Sequence, residues 1–493
     1  LGCSNNPAGA DPAKSDPKDT KQLQAAAATA NPGDELPSLW TREQGVDWPI
    51  FLGPTRDSKS PEKGILTDWS DGKLKVVWQR ELGTSYGVGT VSQGRLFQLD
   101  RFGDQVRLSC LNAETGEELW RFEYPTDYDD VVGYNNGPRC SPIVDGNRVY
   151  SFGAAGMLHC LRASDGKLIW KLDTTEKYHV VQNFFGVGST PAIEGDLLIC
   201  MVGGSPSPYE VDGELAPAPA NVYAADGNVS ADGTGVVAFD KFTGKVVYET
   251  AKELASYASM QLASIGDRRW GFAFCRGGLV GFEPATGKVD FHYPWRSNLL
   301  ESVNASMPVV VGDEVFISET YSIGSSLLKV RPGGYDVVWQ DDPKIRDKAM
   351  RTHWNTPIYI DGYLYGCSGR NPPDANLRCI EWKTGKVMWE VPDRQNLEGA
   401  IRERSSLLYV DGHFVFLGEL GTLRLIRVNP KKYELVSELV LRRDEGDRDP
   451  IDGGPPRLLQ YPCWAAPVLS HGLLYVRGDD RLVCLELIPE VRR

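Results

Sequence analysis

Apolar and polar positions along this chain fall into short runs of about four to eight residues, the length of a strand, and Gly turns separate them. Leu108-Ser-Cys-Leu-Asn-Ala-Glu-Thr-Gly-Glu-Glu-Leu-Trp120 shows the unit: a buried strand, a Thr-Gly turn, and a strand ending in Trp. The cycle opens with a small residue and often Pro, then an apolar run and a turn. Ser141-Pro-Ile-Val-Asp-Gly146, Thr190-Pro-Ala-Ile-Glu-Gly195, Thr356-Pro-Ile-Tyr-Ile-Asp-Gly362 and Ala466-Pro-Val-Leu-Ser-His-Gly472 are instances. Asp-Gly between apolar runs predicts a hairpin, because Gly accepts positive φ. No window keeps a helical apolar period, which excludes a helical solenoid.

A second turn follows at Thr115-Gly116, Asp165-Gly166, Thr243-Gly244, Thr286-Gly287 and Thr384-Gly385, with an aromatic residue four positions after each Gly. Strand-ending aromatics stand at Trp78, Trp120, Trp170, Tyr248, Phe291, Trp339 and Trp389, spaced by 42, 50, 78, 43, 48 and 50 residues. Four strands in a repeat of roughly 40 to 50 residues describe a propeller blade. Blades are expected at about 87–124, 139–173, 187–250, 261–295, 304–342, 353–391 and 402–439. The last set, Cys463 to Leu487, holds three strands, and Leu74 to Leu82 is an outermost strand without partners. Joining the two predicts an all-β, eight-bladed β-propeller of four-stranded blades, closed by an N-terminal strand that completes the last blade and hides the seam edges. Residues 74–493 form this propeller. Residues 36–73 are an irregular segment whose aromatics plug against it, and residues 1–35 are a Pro-interrupted, disordered tether.

Composition narrows the setting. A net charge of −13 repels phosphate backbones, so nucleic acid is excluded as a partner. No run of 18 apolar residues exists to span a membrane. With Leu rather than Met at position 1, an upstream segment is expected. Leu1-Gly2-Cys3-Ser4 resembles the end of a bacterial lipoprotein signal, which makes Cys3 the expected site of lipidation. Acyl chains contribute about 0.8 kcal/mol per buried methylene, enough in combination to hold a protein on a membrane. The other cysteines number nine. Cys110, Cys160, Cys379 and Cys484 hold one place in four repeats, too far apart to bridge, and read as small core residues. Cys367 and Cys379 could face each other across neighbouring strands, which leaves one disulfide open.

The repeat x-x-Glu-Thr-Gly-Glu-Glu-Leu-Trp at 112–120 and Thr-Gly-Lys-Val-Met-Trp at 384–389 resembles the tryptophan-docking motif of pyrroloquinoline-quinone (PQQ)-type propellers. The resemblance covers roughly residues 74–489, weakens at Tyr248 and Phe291, and lacks an aromatic in blade seven. It implies that each Trp stacks on the Thr-Gly peptide of the neighbouring blade. Two groups share the repeat: quinoprotein dehydrogenases, and BamB-like lipoproteins of the outer-membrane β-barrel assembly machinery. The second resembles this chain in lipobox, tether and blade number, the first in fold alone.

In propellers the segment before each innermost strand points at the central channel. Here those segments carry Arg139, Asn183, Gln261, Asn304, His353, Trp354, Asn355, Arg402, Arg404 and Trp464. They are expected to converge on one funnel. It is either a pocket for an anionic or quinone-like ligand, with Arg139 and Arg404 as charge partners and Trp464 or Trp354 as a stacking plane, or a hydrogen-bonded plug. The quinoprotein resemblance would imply PQQ with calcium held by Glu301 and Asn304 and an Asp as base. No Asp stands in these segments, and the adjacent Cys pair of quinoprotein alcohol dehydrogenases is missing. No catalytic residue and no cofactor is therefore assigned.

Blade three carries an insertion, Gly203 to Gly235, in which Asp226, Asn228, Ser230 and Asp232 alternate as calcium ligands do. Ala231 and Val237 stand where such a loop needs Gly and Glu, so a solvated or partner-docking loop is the expectation. His159, His179, His292, His413 and His471 have no ligand spacing. Taken together, the expected role is a non-catalytic, lipid-anchored scaffold on the periplasmic side of a bacterial envelope, BamB-like, a monomer binding other envelope proteins within a complex. The alternatives are a PQQ-dependent dehydrogenase and a ligand- or carbohydrate-binding module using the funnel.

Overall fold

The computed structural model describes residues 35–211, 213–392, 403–444 and 446–490. Cys3, the tether through residue 34, and Arg402 lie outside the described residues. The chain forms eight antiparallel four-stranded blades in a ring, an eight-bladed β-propeller. Blade one is typical, with strands Thr90–Ser92, Arg95–Phe102, Gln105–Asn112 and Glu118–Pro125 running from the axis outward. Arg95–Phe102 is buried on both faces from Arg95 to Asp100, Gln98 and Asp100 included, whereas Glu118–Pro125 alternates half-buried and exposed residues. At the hairpin turns Asp361-Gly362 and Asp411-Gly412 both residues take positive φ, the pairing a two-residue turn requires.

The ring closes between the two ends of the repeat array. Strand Val76–Glu81 pairs antiparallel with Arg481–Glu486, with Trp78 opposite Cys484 and Glu81 opposite Arg481. Each docking ring then reaches the next blade. Trp78 Nε1 donates to the Ala113 carbonyl (3.0 Å), Trp120 to Ala163 (3.0 Å) and Trp339 to Trp382 (2.8 Å). Gly116 lies flat against Trp78, where a Cβ would approach the indole to 2.7 Å at φ +73°. All nine described cysteines are free and buried. Cys367 pairs with Leu377 and Cys379 with Tyr365, so the strand register puts the two thiols at different rungs and the disulfide left open by the sequence does not form.

Blade seven has a fifth strand. Lys59–Ser60 adds in parallel to the inner strand Ser405–Val410, with Lys59 opposite Tyr409. This belongs to the segment before the propeller, which crosses the axis. Trp48 bridges Val91 of blade one, the Pro49 carbonyl accepts from Val144 of blade two, and the Ser58 hydroxyl donates to Leu407 of blade seven (2.7 Å). Glu62 then accepts the backbone N–H groups of Val46, His471 and Gly472, while Trp40 stacks on His471 at 4.1 Å. The channel is thereby closed at one end.

Candidate functional site

The open end of the axis holds a cavity of about 230 Å³ floored by Phe51 and Leu52 of the crossing segment. Its walls come from the segments before the inner strands, as the topology requires. Arg139, His353, Trp354, Asn355, Arg404 and Trp464 line it. Asn183, Gln261 and Asn304 do not. Asn183 donates to the Ala255 carbonyl (3.1 Å), and Asn304 donates to the Cys275 (2.7 Å) and Trp295 (3.3 Å) carbonyls. The inner strand of blade four starts at Gln261 and runs to Ile265, against three residues in blade one, so Gln261 sits within the sheet and Tyr257 and Ser259 face the cavity instead.

The cavity is aromatic before it is charged. Trp354 and Trp464 lie 4.8 Å apart, and the Arg404 guanidinium packs over both rings at 4.5 and 4.9 Å. Arg404 Nε donates to Glu419 (2.8 Å), and Trp464 Nε1 donates to the same carboxylate (3.0 Å). Both charged side chains are nearly closed to solvent, at 7% and 2% exposure. Arg139 pairs likewise with the fully buried Asp130 and sits near the Tyr86, Tyr128 and Phe185 rings. The two arginines expected to receive an anion are thus already matched by carboxylates from this chain. Arg370 differs: it stacks on Tyr321 at 4.6 Å and has no ion pair among the described residues. Burial, with the Arg404 and Arg370 charges second, holds the His353 imidazole down to about 3, so it stands neutral beside the Tyr321 hydroxyl (3.3 Å).

Glu301 lines the cavity, whereas Asn304 does not: its Nδ2 donates to the Cys275 and Trp295 carbonyls, which leaves its Oδ1 buried without a hydrogen-bond partner away from the cavity wall. The pair that would hold calcium beside a quinone is therefore not assembled on one wall, and Asp130 is engaged by Arg139. The donor set does not fit a calcium–quinone centre. In the insertion, Asp232 accepts from the Thr234 N–H (2.9 Å) and hydroxyl (2.6 Å), and the backbone carbonyl of Asn228 accepts from Tyr209. These residues shape the loop, and among the described residues no three His, Cys, Asp or Glu side chains gather as metal ligands.

Tyr86, Tyr134, Tyr223 and Tyr321 complete the walls and were not among the expected site residues. Tyr86 was legible, since it precedes the inner strand of blade one as Arg139 precedes that of blade two. Tyr134 and Tyr461 stand at the mouth, 50% and 52% exposed, each packed T-shaped against Trp464. No helix among the described residues is long and apolar enough to cross a membrane.

Comparison with known proteins agrees with this architecture. The family described as outer membrane protein assembly factor BamB matches residues 63–205 and 107–391, together well over half of the chain. Outer membrane protein assembly factor BamB of Shewanella oneidensis is 23% identical over 356 residues, covering 64% of this chain and 81% of that protein. A 132-residue stretch is 26% identical to apoptotic protease-activating factor 1 of Rattus norvegicus, covering 26% of this chain and only 10% of that protein. The crystal structure of BamB from Moraxella catarrhalis superposes with a TM-score of 0.51 at 13% identity, over 85% of this chain and 99% of that one. With eight PQQ-like blades, a ring closed by its own N-terminal strand and this match across the array, the chain belongs to the outer membrane protein assembly factor BamB family.

Proposed function

We propose that this protein is a non-catalytic scaffold of a bacterial cell envelope, binding other envelope proteins through the loops at the open end of the ring. Family membership supports the setting. The observation that carries the binding role is the mouth itself. Val132, Tyr134, Tyr223 and Tyr461 are exposed there above a cavity whose buried cations are matched from within. Exposed aromatics on a rigid, preformed frame are what protein contact sites use. The lipobox-like Leu1-Gly2-Cys3 supports an acyl anchor at Cys3 on the periplasmic side. Crosslinked capture from native membranes tests the role. Envelope proteins should be recovered with the wild type and depleted with Tyr134→Ala/Tyr461→Ala. Recovery of no envelope protein would refute the scaffold, and mass spectrometry showing a bare Cys3 would refute the anchor.

One observation favours a second reading. Trp354 and Trp464 stand on the wall of a closed-floored cavity large enough for a small ring, so a ligand that stacks on an indole, a sugar ring or a quinone held without calcium, is the alternative. Addition of sugars and of PQQ separates the two. Saturable binding of either, lost in Trp464→Ala, would replace the scaffold reading.

A further inference from the structure

Arg276 lies just after the second strand of blade four, Arg268–Phe274, and its backbone N–H donates to the Leu254 carbonyl (3.0 Å). Its side chain is different in kind from Arg139 and Arg404. The residue is 2% exposed, and Nε, Nη1 and Nη2 are all buried without a hydrogen-bond partner. A guanidinium keeps its charge over the physiological range, so leaving all of its donors unmet in a low-dielectric setting is among the costliest arrangements a fold can hold.

The charges around it offer Arg276 no direct partner. Burial, with the Arg296 charge second, lowers the Arg276 pKa to about 10. Arg296 itself donates to the Leu300 carbonyl at a long 3.4 Å and has no carboxylate within ion-pair distance among the described residues. The acid in the neighbourhood, Glu253, is committed on both oxygens, to His292 Nε2 (2.7 Å) and to the Gly277 N–H (2.9 Å). The Phe184 ring, on the cavity wall, stands 5.5 Å from the Arg276 guanidinium carbon. The roof is the blade-three insertion. At Gly227, φ +77°, an added Cβ would lie 3.6 Å from Arg276 Nη2. The turn at 221–229 therefore lies directly on the guanidinium, held by its own bonds, such as Gly227 N–H to Val222, and by Val222 N–H to the Gln182 carbonyl (3.0 Å).

We propose that Arg276, with Arg296 beside it, is the seat for a small oxyanion, a carboxylate or a phosphate group, admitted when the 221–229 turn lifts. The planar fork of Arg matches both groups in a two-point contact. Tyr223, on the same turn, lines the mouth cavity, so a partner or ligand entering there would meet the roof that covers the site. This goes beyond the scaffold role, and its failure would leave that role standing.

Thermal unfolding of the full chain tests it, with inorganic phosphate and acetate each compared with chloride at matched ionic strength. At least one of the two should raise Tm saturably, by about 3 °C at about a hundredfold excess over Kd. Phosphate alone assigns a phosphoryl group, acetate alone a carboxylate. Arg276→Met should abolish the rise and, with no oxyanion present, melt no lower than the wild type. No rise with either anion, or an equal rise in Arg276→Met, overturns the site. Should the variant fail to fold, hydrogen exchange of the wild type decides: the effective oxyanion should change exchange within 221–229, and protection spread evenly over the ring overturns the site.

Discussion

Leu66 donates its backbone N–H to the carbonyl of Leu487 at 2.8 Å. At other junctions that acceptor position belongs to Ala113, Ala163, Lys241, Pro284 and Trp382, and each takes its hydrogen bond from a docking ring. Blade seven has no such ring. Ser437, opposite Leu425, stands where the aromatic belongs. The segment ahead of the propeller fills the gap: Trp69 is buried, its N–H faces the Ser437 hydroxyl (3.4 Å), and its indole donates to Leu66 (2.9 Å). The seam is thus repaired from outside the repeat array.

Trp69→Ala should then cost what a docking Trp costs, about 3–5 kcal/mol. Urea unfolding measures it directly. A loss below about 1 kcal/mol, within the range of ordinary surface substitutions, would show that Trp69 covers the junction without supporting it.

Deleting residues 70–82 removes the strand Val76–Glu81 and leaves Arg481–Glu486 with an unpaired edge. Trp78 and its hydrogen bond to Ala113 go with it, so blade eight loses both its outer strand and its dock on blade one, and every blade buries its faces against two neighbours. The expected result is a lower Tm for the whole ring and a transition that broadens or splits. An unchanged single transition would mean that closure contributes nothing to cooperativity.

The ring was readable because its signals repeat. The Gly turns and the aromatic four residues later recur with the blade period, so one misread blade does not break the count. The first-to-second strand turns carry information of their own. The turn Asp411-Gly412 sets Val410 opposite His413 and Ser405 opposite Gly418, which places Arg404 beside Glu419 at the open end of the hairpin. The charge partner of Arg404 was therefore derivable from register. Arg276 was not. It lies on a loop between second and third strands, and what covers it is an insertion that no other blade has. The polar residues assigned to the funnel missed at Gln261 because strand length varies among blades, and a two-residue shift moves a side chain from the channel into the sheet.

The Arg404–Glu419 pair gives a sharper test of the mouth. Removing one charge strands the other at less than a tenth of its free exposure, so Glu419→Met or Arg404→Met alone should cost about 3–5 kcal/mol. The double replacement Arg404→Met/Glu419→Met should recover much of that. Additive losses in the double-mutant cycle, measured by denaturant unfolding, would show that the two charges are not coupled.

Two buried groups pull stability in opposite directions over the same pH range. Burial holds His353 down to about 3, so between pH 3 and 6.5 the unfolded chain binds a proton that the folded protein refuses, and stability rises with pH. Burial raises Glu319 to about 7 despite the Tyr321 and Ile323 N–H groups it accepts, so between pH 4.5 and 7 the folded protein keeps a proton that the unfolded chain has lost, and stability falls with pH. From pH 4.5 to 6.5 the two contributions oppose. Glu319→Gln should therefore make the stability–pH slope in that window more positive by about 1 kcal/mol per pH unit, and His353→Asn more negative by about the same. Denaturant midpoints across the window, taken for each variant against the wild type, read the two slopes separately. Parallel curves for all three proteins would mean that neither group titrates differently in the folded and unfolded chain.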